Sequence, residues 1–196
     1  MMKNIIFDMG NVLLTYNPQV CLDYYLDDEA DKALIMRELF RGPEWVEGDL
    51  GYMTDEERYH AVKERVPMRL HKALKNCALR WTMCMKPVAG AKEFCDYVKE
   101  KGYRLYVLSN ASSSFYDYFP KEFAPLSYFD GIVVSCDIHK IKPDREIYEY
   151  LLKKYELNPK ECFFLDDRPE NVEGAIALGM GGAMFEGDYQ VLREIF

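Results

Sequence analysis

Six polar side chains that could do chemistry together stand at, or shortly after, the ends of short apolar runs in this sequence. They are Asp8, Ser109, Asn110, Lys142, Asp166 and Asp167. Clustered carboxylates repel one another unless a cation joins them, and hard oxygen ligands with an open position suit Mg²⁺. A carboxylate beside a metal ion, a lysine and a small hydroxyl group suits phosphoryl transfer onto an aspartate.

The apolar runs predict the strands that would bring these side chains together. Strands are predicted at 3–8, 103–108, 131–135 and 162–165, with a weaker signal at 182–185. Helical patterns lie between them, at 88–101, 144–155 and 169–178. This alternation predicts an α/β fold with a parallel sheet covered by helices on both faces. Ligands bind beyond the carboxyl ends of such strands, so the six side chains are expected at one edge of the sheet.

A segment without a convincing strand interrupts the alternation after the first strand. Its helices are predicted at 18–26, 29–40, 54–65 and 68–80. The glycine-rich stretch 41–51 is predicted to be a loop between them. We therefore expect residues 1–16 and 83–196 to form the core domain, and residues 17–82 to form a helical domain inserted into it.

Four motifs in this order resemble those of the haloacid-dehalogenase-like hydrolases. They are Phe7-Asp8-Met9-Gly10-Asn11-Val12, Leu108-Ser109-Asn110, Lys142-Pro143 and Phe164-Leu165-Asp166-Asp167. The resemblance covers essentially the whole chain, and the helical insertion stands where that superfamily places its C1 cap. It implies a Rossmann-like three-layer α/β/α fold with the C1 cap after the first strand. The motifs most resemble those of the small sugar-phosphate phosphatases in the family, including enzymes for α-D-glucose 1-phosphate.

The resemblance also implies a role for each matching residue in a Mg²⁺-dependent phosphatase. Asp8 would be the catalytic nucleophile that forms an aspartyl-phosphate, and Lys142 would neutralise charge on Asp8 and on the phosphoryl group. Ser109 and Asn110, together with Lys142, would bind the phosphoryl oxygens. The Mg²⁺ ligands would be Asp8, the Gly10 carbonyl and Asp167, with Asp166 as a further ligand or as an acceptor behind them.

Gly10 is a departure from the family pattern. The phosphatases usually carry a second aspartate there, which protonates the leaving group and then activates water. Such acid–base help is typically worth about 10²–10⁴-fold in rate. Either the leaving group needs little protonation, as an anomeric sugar hydroxyl would, or another group fills in.

Three alternatives to a phosphatase belong to other functional classes. One is a phosphate-binding or regulatory module whose catalysis is impaired because Gly10 replaces the usual acid–base aspartate. Another is a dehalogenase of the same superfamily, which needs no metal and is disfavoured by the acidic pair Asp166 and Asp167. The last is a signalling receiver domain, in which the paired acids follow the first strand instead of the fourth.

The inserted segment is expected to select the substrate. Within 41–51, Trp45 could stack on a sugar ring and Glu47 could accept hydrogen bonds from hydroxyl groups. Together with the motifs, these residues point to a small phosphorylated metabolite, such as glucose 1-phosphate, as the partner. The sequence leaves monomer and homodimer open.

Composition limits the remaining partners. The 196 residues carry a net charge of −8, which disfavours tracking along nucleic acid or binding to an anionic membrane surface. No apolar run is long enough for a transmembrane helix or a signal peptide. Six cysteines without metal-binding spacing predict reduced thiols and a cytoplasmic protein.

Overall fold

The computed structural model describes residues 2–196, and its sheet has five parallel strands. The strands are Asn4–Phe7 (β1), Arg104–Ser109 (β2), Gly131–Val134 (β3), Cys162–Asp166 (β4) and Gly181–Met184 (β5). Their order across the sheet is β3-β2-β1-β4-β5, so β1 lies at the centre, paired with β2 and β4. The predicted α/β fold with a parallel sheet is confirmed, including the weak fifth strand.

Eleven α-helices are found among the described residues. They are Pro18–Tyr25 (α1), Glu29–Ile35 (α2), Pro43–Asp49 (α3), Asp55–Val62 (α4), His71–Arg80 (α5), Ala91–Glu100 (α6), Phe115–Glu122 (α7), Ser135–Ile138 (α8), Arg145–Lys154 (α9), Pro169–Ile176 (α10) and Tyr189–Leu192 (α11). A π-helical turn at Met36–Phe40 extends α2, and short 3₁₀ turns follow at Lys63–Arg65, Met68–Leu70, Trp81–Cys84, Leu126–Tyr128 and Pro159–Glu161. No helix in residues 2–196 has the length and apolar character needed to cross a membrane.

The two faces of the sheet bury different helices, as the alternation of side chains along a strand requires. Ile5 and Phe7 belong to a large core that includes apolar residues of α6, α7 and α11. Ile6, between them, belongs to a second core with apolar residues of α9 and α10. The sheet is therefore the middle of three layers.

The prediction of a loop at 41–51 is wrong, because α3 occupies Pro43–Asp49. Pro43 stands in the first turn, where its missing N–H removes no helical hydrogen bond. The glycines that indicated a loop have other reasons to be there. A Cβ built on Gly48 would lie 1.9 Å from Nη2 of Arg58, so Gly48 makes room for that side chain.

The two segments that connect the inserted helices to the sheet are bonded to each other. Thr15 N–H donates to the Lys86 carbonyl at 2.7 Å, and Val88 N–H donates to the Leu13 carbonyl at 3.0 Å. The Thr15 hydroxyl donates to the Cys84 carbonyl at 2.9 Å. The outgoing and returning chains therefore form a short hydrogen-bonded pair beside the end of β1.

The six cysteines are all buried, and none forms a disulfide. They are distributed over both the inserted helices and the sheet domain, among apolar side chains. Buried thiols in such surroundings behave as small apolar side chains.

Candidate active site

Asp8 lies directly beyond β1 and forms a buried ion pair with Lys142. The Lys142 Nζ atom lies 2.6 Å from Asp8 Oδ1 and 2.7 Å from Asp166 Oδ2, so one ammonium group bridges two carboxylates. Lys142 and Asp166 are almost completely inaccessible to solvent. Because β1 and β4 are neighbours in the sheet, the residues that end them are brought side by side.

Lys142 is positioned by Asn110, which follows β2. The Lys142 backbone N–H donates to Asn110 Oδ1 at 2.8 Å, and Asn110 Nδ2 donates to the Lys142 carbonyl at 2.9 Å. This pair of bonds fixes the backbone that carries the ammonium group. The motif residue Asn110 therefore holds another motif residue through its side chain, a link that sequence reasoning did not anticipate.

Asp166 has hydrogen bonds on both carboxylate oxygens. Asn171 Nδ2 lies 3.0 Å from each oxygen, and the Arg168 backbone N–H donates to Oδ1 at 2.9 Å. Lys142 occupies Oδ2 as well. This set of donors orients Asp166 toward Lys142, which suits an acceptor that stands behind the reacting carboxylate.

Asp8, Asp166 and Asp167 form the acidic cluster expected from the sequence. One carboxylate oxygen from each residue lies within 4.8 Å of the others. Asn11 Nδ2 donates to Asp167 Oδ2 at 2.9 Å. The other carboxylate oxygen of Asp167 has no side-chain donor among the described residues. Three carboxylates thus face the single ammonium group of Lys142, an excess of negative charge that a divalent cation with oxygen ligands would balance.

Burial raises the pKa values of Asp8 and Asp167, because desolvation disfavours their charged forms. Desolvation raises the pKa of Asp8 to about 7, although the Lys142 ammonium acts to lower it. Desolvation also raises the pKa of Asp167, against a hydrogen bond from Asn11. A cation beside these groups stabilises the charged carboxylates, so the donor set fits Mg²⁺.

Ser109 and Gly10 are two further residues of the predicted site. The Ser109 hydroxyl is buried at the end of β2 and has no hydrogen-bond partner among residues 2–196. Ser109 is not among the residues that line the main cavity, whereas its neighbours Asn110 and Ala111 are. Gly10 lines that cavity, and a Cβ built on it would meet nothing closer than Asp8 Oδ2 at 3.7 Å.

A cavity of about 510 Å³ joins the acidic cluster to the inserted helices. Asp8, Lys142 and Asp167 line it, and so does Trp45 of α3. Glu47, the other side chain expected to contact substrate, is exposed and lies outside the lining. Asp49, one turn further along α3, is the acidic residue of this helix that lines the cavity, and desolvation raises its pKa to about 7.

Five aromatic side chains from separate elements line the same cavity and are here called the aromatic wall. They are Tyr16, Phe40, Trp45, Trp81 and Tyr118. Sequence reasoning found only Trp45 among them. The others are scattered over about 100 positions of the chain, and no local spacing signals that they meet.

A family profile described as haloacid dehalogenase-like hydrolase matches residues 2–179, which is most of the chain. The chain belongs to the haloacid dehalogenase-like hydrolases. The family resemblance stated from the four motifs is thereby confirmed, and the protein is an enzyme of the hydrolase class with phosphatase relatives.

Two relatives match most of the chain and carry phosphatase names. A sesquiterpene phosphatase from Aspergillus oryzae is 28% identical over 180 residues, 92% of this chain and 88% of that protein. A D-ribitol-5-phosphate phosphatase from Bacteroides thetaiotaomicron is 24% identical over 188 residues, 91% of this chain and 89% of that protein. A drimenol cyclase from Aspergillus calidoustus matches the whole chain at 23% identity, but the match covers only 36% of that longer protein.

Solved structures agree on the fold. A haloacid-dehalogenase-family enzyme from Bacteroides thetaiotaomicron, crystallised as an Asp-to-Ala variant with magnesium and inorganic phosphate, superposes with a TM-score of 0.77 at 21% identity. The match covers 98% of this chain and 99% of that chain. The Rossmann-like architecture inferred from the sequence is therefore confirmed.

Proposed function

We propose that this protein is a Mg²⁺-dependent phosphatase that hydrolyses a small phosphate monoester through an aspartyl-phosphate on Asp8. The observation that carries the proposal is the position of Asp8, which lines an open cavity while Lys142 and two further carboxylates surround it. The phosphatase names of the two relatives that match most of the chain support the same activity.

In the first step, an Asp8 oxygen attacks phosphorus and the ester P–O bond breaks, so that the electron pair leaves with the alcohol oxygen. Lys142 reduces the charge on Asp8 and on the phosphoryl oxygens. Ser109, whose hydroxyl has no partner among residues 2–196, is proposed to donate to a phosphoryl oxygen, together with the Asn110 backbone N–H.

In the second step, water hydrolyses the acyl phosphate, which releases inorganic phosphate and restores the Asp8 carboxylate. Mg²⁺, when bound by Asp8, Asp167 and the Gly10 carbonyl, would supply positive charge beside the transferring group. Asp166 holds Lys142 and stands behind these ligands. Gly10 offers no acid for the leaving alcohol, so solvent is proposed to supply the proton.

The substrate is proposed to be a small phosphorylated metabolite. Sugar phosphates, glucose 1-phosphate among them, are one class, and the D-ribitol-5-phosphate phosphatase supports it by name. Esters without a sugar are the other class, supported by the name of the sesquiterpene phosphatase.

The proposal is tested by phosphate release from acetyl phosphate, glucose 1-phosphate and hexyl phosphate, with Mg²⁺ or with a chelator. We expect release that requires Mg²⁺, and a phosphorylated Asp8 peptide in acid-quenched samples analysed by mass spectrometry. Asp8→Asn should lose at least about 10³-fold in kcat, because the nucleophile is removed.

Two results would contradict this proposal. Binding of phosphate without release above the Asp8→Asn background would indicate a binding module. Chloride release from a 2-haloacid that persists in the chelator would indicate a dehalogenase.

A further inference from the structure

The aromatic wall is a connected surface. The Trp45 ring lies 5.0 Å from Phe40, 5.3 Å from Trp81 and 6.0 Å from Tyr16 between ring centroids. Trp81 is 5.4 Å from Tyr118 and edge-on to it. These contacts hold the five rings as one apolar patch, which faces the same cavity as Asp8.

Two polar atoms of this wall have partners within the protein. The Trp81 indole N–H donates to Asp55 Oδ2 at 3.2 Å, and the Tyr118 hydroxyl points to the Met9 sulfur at 3.8 Å. The wall offers mainly ring surface to the cavity, which Arg41 and Asp49 line as charged neighbours.

Trp45 is supported from within the inserted helices by a buried cation. The Arg58 guanidinium lies 4.2 Å from the centre of the Trp45 ring and is completely inaccessible to solvent. Arg58 pairs with Asp55 at 3.1 Å. The ring is thus pressed between Arg58 and its aromatic neighbours, a fixed surface of the kind that binds apolar ligand groups.

We propose that the organic part of the substrate is apolar and contains at least about six carbon atoms, so that the enzyme prefers alkyl, isoprenoid or aryl phosphate monoesters to sugar phosphates. This inference rests on the proposed phosphatase activity and deepens it. The phosphoryl group would lie at Asp8, and the hydrocarbon part would pack on the aromatic wall.

The same wall argues against a sugar. Each hydroxyl group of a buried sugar needs a hydrogen-bond partner to replace water, and an unsatisfied one weakens binding. Glu47, the acceptor expected from the sequence, lies outside the cavity lining. Burial raises the pKa of Asp49 to about 7, in keeping with surroundings that disfavour charge.

The test is a series of primary phosphate esters with a constant leaving-group chemistry: ethyl, butyl and hexyl phosphate, with glucose 6-phosphate and phosphocholine as polar and cationic comparators. We expect kcat/KM to rise about two- to fourfold for each added methylene group. Hexyl phosphate should exceed glucose 6-phosphate at least about tenfold. A rise below twofold per methylene group, or a higher value for either comparator, would overturn the inference.

Variants show whether the aromatic wall causes this preference. In Trp45→Ala, the ratio of kcat/KM for hexyl phosphate to that for ethyl phosphate should fall about tenfold, mainly through KM, since the lost ring surface is apolar. Tyr24→Ala is the matched control, because Tyr24 is 70% exposed on the inserted helix α1 and lies outside the cavity lining. An unchanged ratio in Trp45→Ala would refute the assignment to this wall.

A binding experiment separates this inference from the proposed function. Calorimetry with ethyl- and hexylphosphonate, which cannot be hydrolysed, should show tighter binding of the hexyl compound by at least about tenfold in Kd. If turnover is absent but this difference holds, the proposed activity fails and the apolar site stands. If acetyl phosphate is hydrolysed but the two phosphonates bind equally, the apolar site fails and the activity stands.

Discussion

Gly10 is the residue at which the site differs most from a phosphatase with its own acid. Gly10 has room for a Cβ atom, because this atom would lie 3.7 Å from Asp8 Oδ2 and 3.9 Å from Tyr16 Cβ, both ordinary van der Waals contacts. The backbone at Gly10 has no left-handed φ that would require glycine. Nothing in the local geometry therefore excludes a Cβ at this position.

Gly10→Asp is expected to raise kcat for hexyl phosphate about tenfold or more, because an acid beside Asp8 can protonate the departing alkoxide. Acetyl phosphate should gain much less, since its leaving group needs little protonation. Gly10→Asn adds similar bulk without the acid, so the comparison of kcat between the two variants isolates the proton. Equal kcat values for hexyl phosphate would show that the leaving oxygen lies elsewhere.

At the residue scale, sequence reasoning located the acidic cluster but found only Trp45 of the aromatic wall. Asp8 and Asp166 could be predicted as neighbours because parallel strands end at a common edge, and each residue follows a recognisable strand. The positions of Asp49 and Trp81 at the cavity could not be predicted, because both residues belong to helical turns whose packing depends on the whole inserted segment. The pairing of Asn110 with the Lys142 backbone was hidden because it joins two loops of the sheet domain that are 32 residues apart in the chain.

Helix α3 shows how an element can be concealed by residues that serve its packing. Its segment contains or adjoins Gly42, Gly48 and Gly51, which together indicated a loop. A Cβ on Gly42 would lie 2.3 Å from the Glu38 carbonyl oxygen, and one on Gly48 would overlap Arg58. These glycines reflect close approach between neighbouring helices, which a local pattern does not distinguish from a turn.

Gly48→Ala is expected to destabilise the protein by about 1–3 kcal/mol, although alanine normally favours a helix over glycine. The added methyl group would displace Arg58, which is fully buried behind Trp45 and has no solvent to move into. Urea unfolding measures the change. Glu47→Ala, at the exposed neighbouring position, should change the free energy of unfolding by less than about 0.5 kcal/mol; similar losses in both would contradict the role of Arg58.

At the scale of the whole molecule, the end of α3 docks onto α8, the short helix that follows β3, and onto His139 beyond it. The Ser135 hydroxyl donates to the Asp49 carbonyl, and the His139 ring lies 2.7 Å from the Leu50 carbonyl through Nδ1 and is stacked on Tyr52 at 4.8 Å. Gly51 has a φ of +78°, and a Cβ on it would lie 2.3 Å from the Cys136 carbonyl oxygen.

Gly51→Ala is expected to lift the end of α3 from the sheet domain. Gly102→Ala is the matched control, since Gly102 also has a positive φ, +89°, but open space around its Cα. Both variants carry the strain of a left-handed alanine, about 1–2 kcal/mol. Only Gly51→Ala should also speed hydrogen exchange at the amides of α3; equal exchange in the two variants would show that the docking does not depend on this close approach.

The bonded pair of connecting segments has a mechanical consequence. Backbone hydrogen bonds join Thr15 to Lys86 and Val88 to Leu13 across the two connecting segments. Because of these bonds, neither connecting segment can move without the other. The inserted helices would then rotate about a single axis that passes through the two connecting segments. Such a rotation would move Phe40, Trp45 and Trp81, which lie on the inserted segment, relative to Asp8, Tyr16 and Tyr118, which lie outside it.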